Sequence, residues 1–374
     1  MSRILTINCG STSTKVAAFD DDVLLAKTSL DVPLADLATM PKVLDQTGYR
    51  TAQVREFLAA HDLDPGTMDL VVARAGTIQH VRHDGAYEVN DLMVASLTHA
   101  PAAQHASTLS CLIGRDLVEG TGVPVIVYDP TCVDSVDPIA KVTGVPGIVN
   151  LPVYHLLNPK AAGHTYAASI GRSYADLNLV IVHLGGGVTM AFHDHGRVAD
   201  WIYDDGGPMS PTRAGAIPTR LLADFVHTSG MSHSELRMFL AGRSGLAAHL
   251  GTNDVREVEA RIAAGDAEAE LVYRAMAYGV AKGIGQLSVI RAGQVDQVIL
   301  TGGIAHSEMF TGWVRDLVSW IAGVTVLPGE QEAEALAAGG LRVLRGEEDL
   351  HPYDVYPPGY SSIEELVARP TFLA

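Results

Sequence analysis

Residues 4–26 and 179–202 repeat one layout, and a chain that carries it twice is held to few folds. In the first copy Ile4-Leu5-Thr6-Ile7 leads into a glycine and hydroxyl loop, Val16-Ala17-Ala18-Phe19 follows, Asp20-Asp21-Asp22 reverses the chain, and Val23-Leu24-Leu25-Ala26 ends the unit. In the second, Leu179-Val180-Ile181-Val182 leads to Gly185-Gly186-Gly187, then to Val188-Thr189-Met190-Ala191-Phe192, a turn at Asp194-His195-Gly196 and a run from Val198 to Ile202. Short apolar runs between Gly and Asp turn signals read as strands joined by hairpins. Their repetition predicts a duplicated α/β domain.

Helical patterns and further strands follow each copy. The first is followed by helices near Thr51–His61 and from His105 toward Val118, with strands at Leu70–Ala73 and Val125–Tyr128. The second is followed by helices over Val255–Ala264 and from Asp266 to Ile290, where Leu271, Val272, Ala275, Met276, Gly279, Gly283 and Leu287 form the expected buried stripe. Strands at Val298–Leu300 and Val324–Leu327 lead into Thr301-Gly302-Gly303 and Pro328-Gly329-Glu330. Glycine loops at strand ends are where ligands of α/β folds sit. A domain boundary is expected at 145–155. The tail is Pro/Tyr-rich, with a capping-box pattern for one short helix at Ser361–Leu366.

A chain of 374 residues, 47% of them hydrophobic, exceeds one core and suits two domains. The net charge of −17 argues against a nucleic-acid surface, so an anionic ligand must be met by a few placed cations, loop amides or a metal. Three cysteines, Cys9, Cys111 and Cys132, without a C-x-x-C pair fit a reducing cytoplasm better than a disulfide scaffold or zinc site. Nothing at the N-terminus reads as a signal peptide, and no apolar run is long enough to span a membrane.

Asn8-Cys9-Gly10-Ser11-Thr12-Ser13-Thr14-Lys15 lies between two predicted strands, so amides and three or four hydroxyls can converge on phosphate oxygens while Lys15 adds charge. It is not a Walker A sequence, lacking the G-x-x-x-x-G-K order and leading into a strand. An ordinary polar hairpin loop is the competing reading. Gly185-Gly186-Gly187 after His183-Leu184, and Gly302-Gly303 after Thr301, are two further loops where a backbone can approach a nucleotide.

The strings Asn8–Lys15, His183–Gly187, Gly207–Gly215, Leu300–Ile304 and Pro328–Glu332 stand in the order found in butyrate kinases. Over roughly residues 3–348 the chain resembles the butyrate kinase branch of the acetate kinase family. The resemblance implies two duplicated actin-like (ribonuclease H-like) domains with a nucleotide cleft between them. Residues 1–150 would form the acyl-substrate domain with the phosphate loop, 151–330 the nucleotide domain, and 331–349 a helix returning to the first. The tail 350–374 extends past the family's usual end and takes no family role.

The implied activity is reversible phosphorylation of a short-chain carboxylate, butyrate or a branched acid, by ATP. Acetate or propionate is the alternative substrate, and a non-catalytic nucleotide-binding regulator the alternative function. Such a reaction is in-line displacement at the γ-phosphorus, governed by positioning and charge neutralisation. Arg74 and Arg213 resemble the family's two active-site arginines, for which a guanidinium fork is suited. His155 resembles the histidine that hydrogen-bonds the migrating phosphoryl group. Asp129 resembles the active-site aspartate; since a carboxylate substrate is already ionised, its expected task is orienting an arginine or a metal-bound water. ATP/ADP and Mg²⁺ are the implied cofactors. Asn8, Gly10, Ser11, Ser13, Lys15, His183, Gly185, Gly186, Gly187, Gly302, Gly303 and Ile304 are expected at the nucleotide. Asp254 and Arg256 are expected at the adenosine, with helix capping by Asp254 and a solvated Arg256 as the competing reading. Asn8, Ser11 and one of Glu330 and Glu332 are expected near the metal. A cytoplasmic homodimer or higher homo-oligomer is expected, binding no nucleic acid or membrane. Three departures stand out. Cys9 puts a thiol beside the loop, a candidate point of oxidation, while Ala73 and Ala75 flank Arg74 where glycine is usual, which bears on chain-length preference.

Overall fold

The computed structural model describes residues 1–76, 78–102 and 105–371. β1 (Arg3–Cys9), β2 (Ser13–Asp20) and β3 (Val23–Asp31) form an antiparallel meander. Asp21 supplies the positive φ of 53° that the tight β2–β3 turn needs, a conformation aspartate tolerates better than most residues. β1 also pairs in parallel with β4 (Leu70–Ala73), and β4 with β6 (Val125–Tyr128). β5 (Ala86–Glu88) and β12 (Leu350–His351) extend that edge, giving the order β12-β5-β6-β4-β1-β2-β3. Every residue of β4 and β6 is buried, as continuous aliphatic runs in a sheet covered on both faces require.

The second sheet repeats the first. β7 (Asn178–Leu184), β8 (Val188–Asp194) and β9 (Arg197–Ile202) form the meander, and β10 (Gln297–Gly302) and β11 (Gly323–Pro328) add parallel strands, in the order β11-β10-β7-β8-β9. Even the irregularity recurs: the register of the second hairpin shifts between Ala18 and Phe19 in one sheet and between Phe192 and His193 in the other. The shared core β6-β4-β1-β2-β3 and β11-β10-β7-β8-β9 is the duplicated actin-like α/β fold.

The chain divides into two units, Met1–Asp134 with the stretch from Gln331 onward, and Ser135–Glu330. The crossing falls at 134/135, earlier than the expected 150. The Ser135 hydroxyl already donates to the Val198 carbonyl (3.2 Å), and the Asp137 N–H to the Ala199 carbonyl (2.8 Å), which ties this segment to β9.

In the first unit the helices are α1 (Leu34–Thr39), α2 (Thr47–Ala60), α3 (Asp91–His99) and α4 (Leu109–Leu117). In the second they are α5 (Leu157–Ser169), α6 (Thr219–Thr228), α7 (His233–Gly242), α8 (Gly245–Leu250), α9 (Val255–Ala263), α10 (Ala267–Leu287) and α11 (Glu308–Val318). α12 (Glu332–Leu344) and α13 (Ile363–Ala368) belong to the first unit. α12 packs on β1, β2 and β4. It comes close because Gly340 faces Val72 and Leu70, where an added methyl would lie 2.6 Å and 2.9 Å from their side chains.

The buried face of α10 is turned from the expected stripe. Val272, Met276, Gly283 and Leu287 are inside with Tyr273, Ala277, Val280 and Ile284, but Leu271 is 70% exposed and Ala275 is exposed. A helix rich in Ala and Gly carries small residues on every face, so spacing alone does not fix which face turns inward. The tail packs on the first unit: β12 pairs with β5, the Asn90 side chain donates to the Tyr353 carbonyl (2.8 Å), and α13, capped by Ser362, lies on α3.

Candidate active site

In the first unit the loop between β1 and β2 is only Gly10–Thr12; Ser13, Thr14 and Lys15 already belong to β2. Strand alternation then separates the hydroxyls. Ser11, Thr12 and Lys15 are exposed, whereas Thr14 is buried and faces inward, so the expected full convergence of hydroxyls does not occur. The Gly10 N–H closes the turn on the Ser13 carbonyl at 2.7 Å.

Glu332, the first residue of α12, gathers the polar groups around this loop. Its carboxylate accepts from Asn8 Nδ2 at 2.6 Å and lies 3.7 Å from Arg74 Nε and 4.0 Å from Lys15 Nζ. A carboxylate in the first helical turn also faces the positive end of the helix dipole. Arg74 follows β4 directly; its N–H bonds the Ile7 carbonyl (2.8 Å), and Nη1 donates to the Ala75 carbonyl (2.7 Å) and reaches the Asp129 carbonyl at 3.4 Å. The buried guanidinium is thus aimed by main-chain oxygens. Asp129 follows β6 directly with φ 44°, a left-handed backbone that aspartate tolerates better than most residues. Its Oδ1 accepts the Gly85 N–H at 2.8 Å, and its carbonyl oxygen is the atom 3.4 Å from Arg74 Nη1.

Beneath the loop lies Arg50 of α2, fully buried, bonded to the Ser11 and Ser13 carbonyls and the Thr14 hydroxyl. Cys9 is buried as well, its N–H on Ser110 Oγ (3.0 Å), and burial pushes its thiol pKa up. That overturns the expectation of an oxidation-sensitive thiol, since reaction needs an accessible thiolate.

In the second unit β7 delivers His183 and then Gly185–Gly187. His183 Nε2 lies 3.3 Å from Glu330 Oε1, and its ring stacks on that of His155 with centroids 4.3 Å apart. His155 Nδ1 is 3.1 Å from Thr189 Oγ1. Asn158 on α5 donates to Thr301 Oγ1 (3.2 Å) and sits 3.4 Å from His183 Nδ1. Gly302 and Gly329 exchange backbone hydrogen bonds (3.0 and 3.2 Å), which fixes the loop that carries Glu330. Glu330 and Glu332 therefore serve different clusters, Glu330 beside His183 and Glu332 beside Asn8. Arg213 is aimed by Asp204, a buried carboxylate bonded to its guanidinium, and by Ser210, whose hydroxyl accepts the Arg213 N–H (3.1 Å) and donates to the Gly186 carbonyl (2.6 Å). The guanidinium lies against Gly187, where an added methyl would come within 2.5 Å of Nη1.

A cavity of 580 Å³ is lined by Gly185, Gly186, Asp254, Gly303, Ile304 and Glu330, among others. Three glycine-bearing segments meeting around one cavity offer backbone to a polyphosphate or a base. Asp254 caps α9 through the Arg256 N–H at 2.9 Å, and hydrogen bonds from the Arg256 side chain and backbone hold its carboxyl down at about 2. Arg256 is folded back on Asp254, its side chain 88% exposed, and does not line the cavity. In the free protein Arg256 thus makes an ion pair at a helix start.

Four residues near these clusters were not singled out from the sequence: Arg50, Asp204, Asn158 and His105. His105 Nδ1 lies 2.7 Å from Ser107 Oγ, and loss of solvent followed by the Arg74 charge lowers its pKa, so the ring is neutral at pH 7. Only Asp204, nine residues before Arg213 in an Asp-Asp-Gly-Gly turn, carried a readable signal, as an acid near a candidate arginine.

Among solved structures, the chain is similar to acetate kinase of Porphyromonas gingivalis (TM-score 0.75, 17% identity, 92% of this chain and 100% of that one). It is also similar to a propionate kinase of Francisella tularensis (TM-score 0.72, 18% identity, 91% and 99%). These likenesses speak for the fold. In sequence, residues 161–326 match the acetokinase family. Over 354 residues the chain is 40% identical to a probable butyrate kinase of Coprothermobacter proteolyticus, covering 94% of this chain and 99% of that protein. An identity of that size, spread over nearly the full length of both proteins, means that this chain belongs to the acetokinase family of carboxylate kinases.

Proposed function

We propose that the chain transfers the γ-phosphoryl group of ATP reversibly to a short-chain carboxylate, butyrate or a branched acid of similar length, giving ADP and an acyl phosphate. The observation that carries the reading is that each unit holds one arginine by built-in acceptors, Arg74 by the Ala75 and Asp129 carbonyls in the first and Arg213 by Asp204 in the second. Guanidinium groups fixed before substrate arrives suit a reaction whose main demand is neutralising charge on carboxylate and phosphoryl oxygens. The ionised substrate needs no general base, which agrees with a site rich in cations. Butyrate is favoured over acetate by the 40% identity to a probable butyrate kinase.

In this reading Gly185, Gly186, Gly303 and Ile304 hold the nucleotide, with Asp254 at its rim, while Ser11, Ser13 and Lys15 meet phosphate oxygens. His155, supported by Thr189 and stacked on His183, donates to the migrating group. The oxygen donors near the loop fit Mg²⁺: Glu332 gives a carboxylate, Asn8 an amide oxygen and Ser11 a hydroxyl. Mg²⁺ ordinarily keeps several waters and takes phosphate ligands, so a few protein oxygens suffice for it. When bound, Mg²⁺ would neutralise β- and γ-phosphate charge; Glu332, already held by Asn8, is the residue to orient it. We further infer a cytoplasmic homo-oligomer; its three cysteines are all free and buried.

Hydroxamate trapping of acyl phosphate with Mg-ATP and acetate, propionate, butyrate or isobutyrate tests this. The highest kcat/KM is expected with butyrate or isobutyrate. A maximum at acetate or propionate would reassign the substrate, and no product with any of the four would leave the nucleotide-binding regulator as the reading.

A further inference from the structure

We propose that Arg50 is a positioning residue for phosphoryl transfer, a buried cation that shapes the Gly10–Lys15 segment and has the phosphates of the bound nucleotide as its counter-charge. The inference rests on the reading that this segment handles nucleotide phosphate.

The guanidinium is fully buried and engages only neutral acceptors. Nε donates to Gln46 Oε1 (3.1 Å), Nη2 to Gln46 Oε1 (2.9 Å) and the Ser11 carbonyl (3.0 Å), and Nη1 to the Ser13 carbonyl (2.9 Å) and Thr14 Oγ1 (3.0 Å). Among the described residues no carboxylate pairs with it. Buried charges are ordinarily paired, because an isolated one is expensive to desolvate. The fork's N–H groups make five hydrogen bonds, more than a neutral amide with two N–H could supply, and they leave the charge itself without a counter-ion.

The geometry gives the charge a use. In a trans peptide the carbonyl and the following N–H point in opposite directions. The Ser11 carbonyl, drawn down to Arg50, therefore turns the Thr12 N–H away from the buried cation and toward the exposed side of the loop, where Ser11 and Lys15 also stand. An outward main-chain N–H over a fixed positive charge favours an anion at that place. Gln46, whose one oxygen accepts from both Nε and Nη2, sets the plane of the fork. The Thr14 hydroxyl anchors β2 to it. The free protein thus holds an uncompensated charge that an arriving polyphosphate relieves, which couples nucleotide binding to the order of this loop.

The test uses Arg50→Met, Arg50→Lys and Gln46→Leu in the full chain, with kcat and both KM values from the hydroxamate assay and thermal unfolding with and without saturating Mg-ADP. For Arg50→Met we expect kcat to fall about 30-fold or more with the carboxylate KM within about twofold of wild type. We also expect the Mg-ADP-induced rise in Tm to shrink by about half or more. Arg50→Lys should recover part of both losses. A folded Arg50→Met enzyme that keeps kcat within about threefold, or that keeps the full Mg-ADP-induced rise, overturns the proposal. If Arg50→Met does not fold, Gln46→Leu decides by the same two readouts, and wild-type values in both would overturn it. A wild-type enzyme inactive on all four acids would refute the proposed reaction instead. The ligand-induced rise in Tm needs no turnover and would still test Arg50.

Discussion

Replacing Gly187 with alanine presses first on Arg213. A methyl at this position would lie 2.5 Å from Nη1, 2.7 Å from Cζ and 3.1 Å from Nε of Arg213. Carbon contacts settle at about 3.5–4.0 Å, so the guanidinium must retreat by about 1 Å. The retreating group is the end of a flexible side chain, and Gly187 does not have a positive φ, so the backbone accepts the methyl. The stability loss comes from a loosened bond to buried Asp204, about 1 kcal/mol, or a Tm lowered by about 2–4 °C. Catalysis is far less tolerant, since a misplacement of about 1 Å can cost about 100-fold. The expected signature is a kcat reduced by about 100-fold in the hydroxamate assay with a nearly unchanged melting curve. Gly186→Ala is the control, because a methyl there would meet nothing within 4 Å. As Gly186 lines the cavity proposed for the nucleotide, its effect should fall on the KM for ATP, with kcat within about threefold. Gly187→Ala retaining kcat within that same margin, or Gly186→Ala losing as much kcat, would refute the assignment of Arg213 to the transition state.

Glu332→Gln should reduce kcat at least about 100-fold and raise the Mg²⁺ concentration for half-maximal rate, whereas Glu330→Gln should act mainly on the KM for ATP; titrating Mg²⁺ in the assay separates them. Asp254 has a folded pKa of about 2 against an ordinary 3.8, so its contribution to stability is full above pH 4 and is lost as pH falls through about 2. The deficit of Asp254→Asn in urea unfolding should therefore be smaller at pH 3 than at pH 6, while Arg256→Ala leaves the KM for ATP within about twofold. Cys9, buried and with its pKa raised, should resist a thiol reagent in the native protein and react only on unfolding; stoichiometric native labelling at Cys9 would contradict its burial.

The duplication was legible because its strands are short apolar runs between Gly and Asp turns, and those signals are local. The glycine-bearing loops were legible for the same reason, and those at Gly185–Gly187 and Gly302–Gly303 meet around a cavity in the second unit. The roles within each cluster were not. Glu330 and Glu332 stand two residues apart in one acidic stretch, and only the start of α12 at Glu332 and the pairing of Gly329 with Gly302 send them to different partners. Asp254 and Arg256 were expected at the adenosine by resemblance, with helix capping as the competing reading, and the capping of α9 by Asp254 became visible only with the helix start. Arg50 left no trace at all. It lies in a polar, weakly amphipathic helix, and its burial is decided by the return of β2 above it, a contact between residues 36 and 37 apart.

The two crossings between the units, at 134/135 and 330/331, have a consequence for biosynthesis. The second unit is one uninterrupted stretch and can close its core as soon as it leaves the ribosome, whereas the first must wait. Until α12 is made, the faces of β1 and β4 that Gly340, Leu336 and Leu341 will cover stay open, and the Asn8–Glu332 contact does not exist. The face proposed to handle phosphate should thus be among the last parts of the nascent enzyme to mature, and a chain stalled before Glu332 should expose an apolar sheet for chaperones to bind.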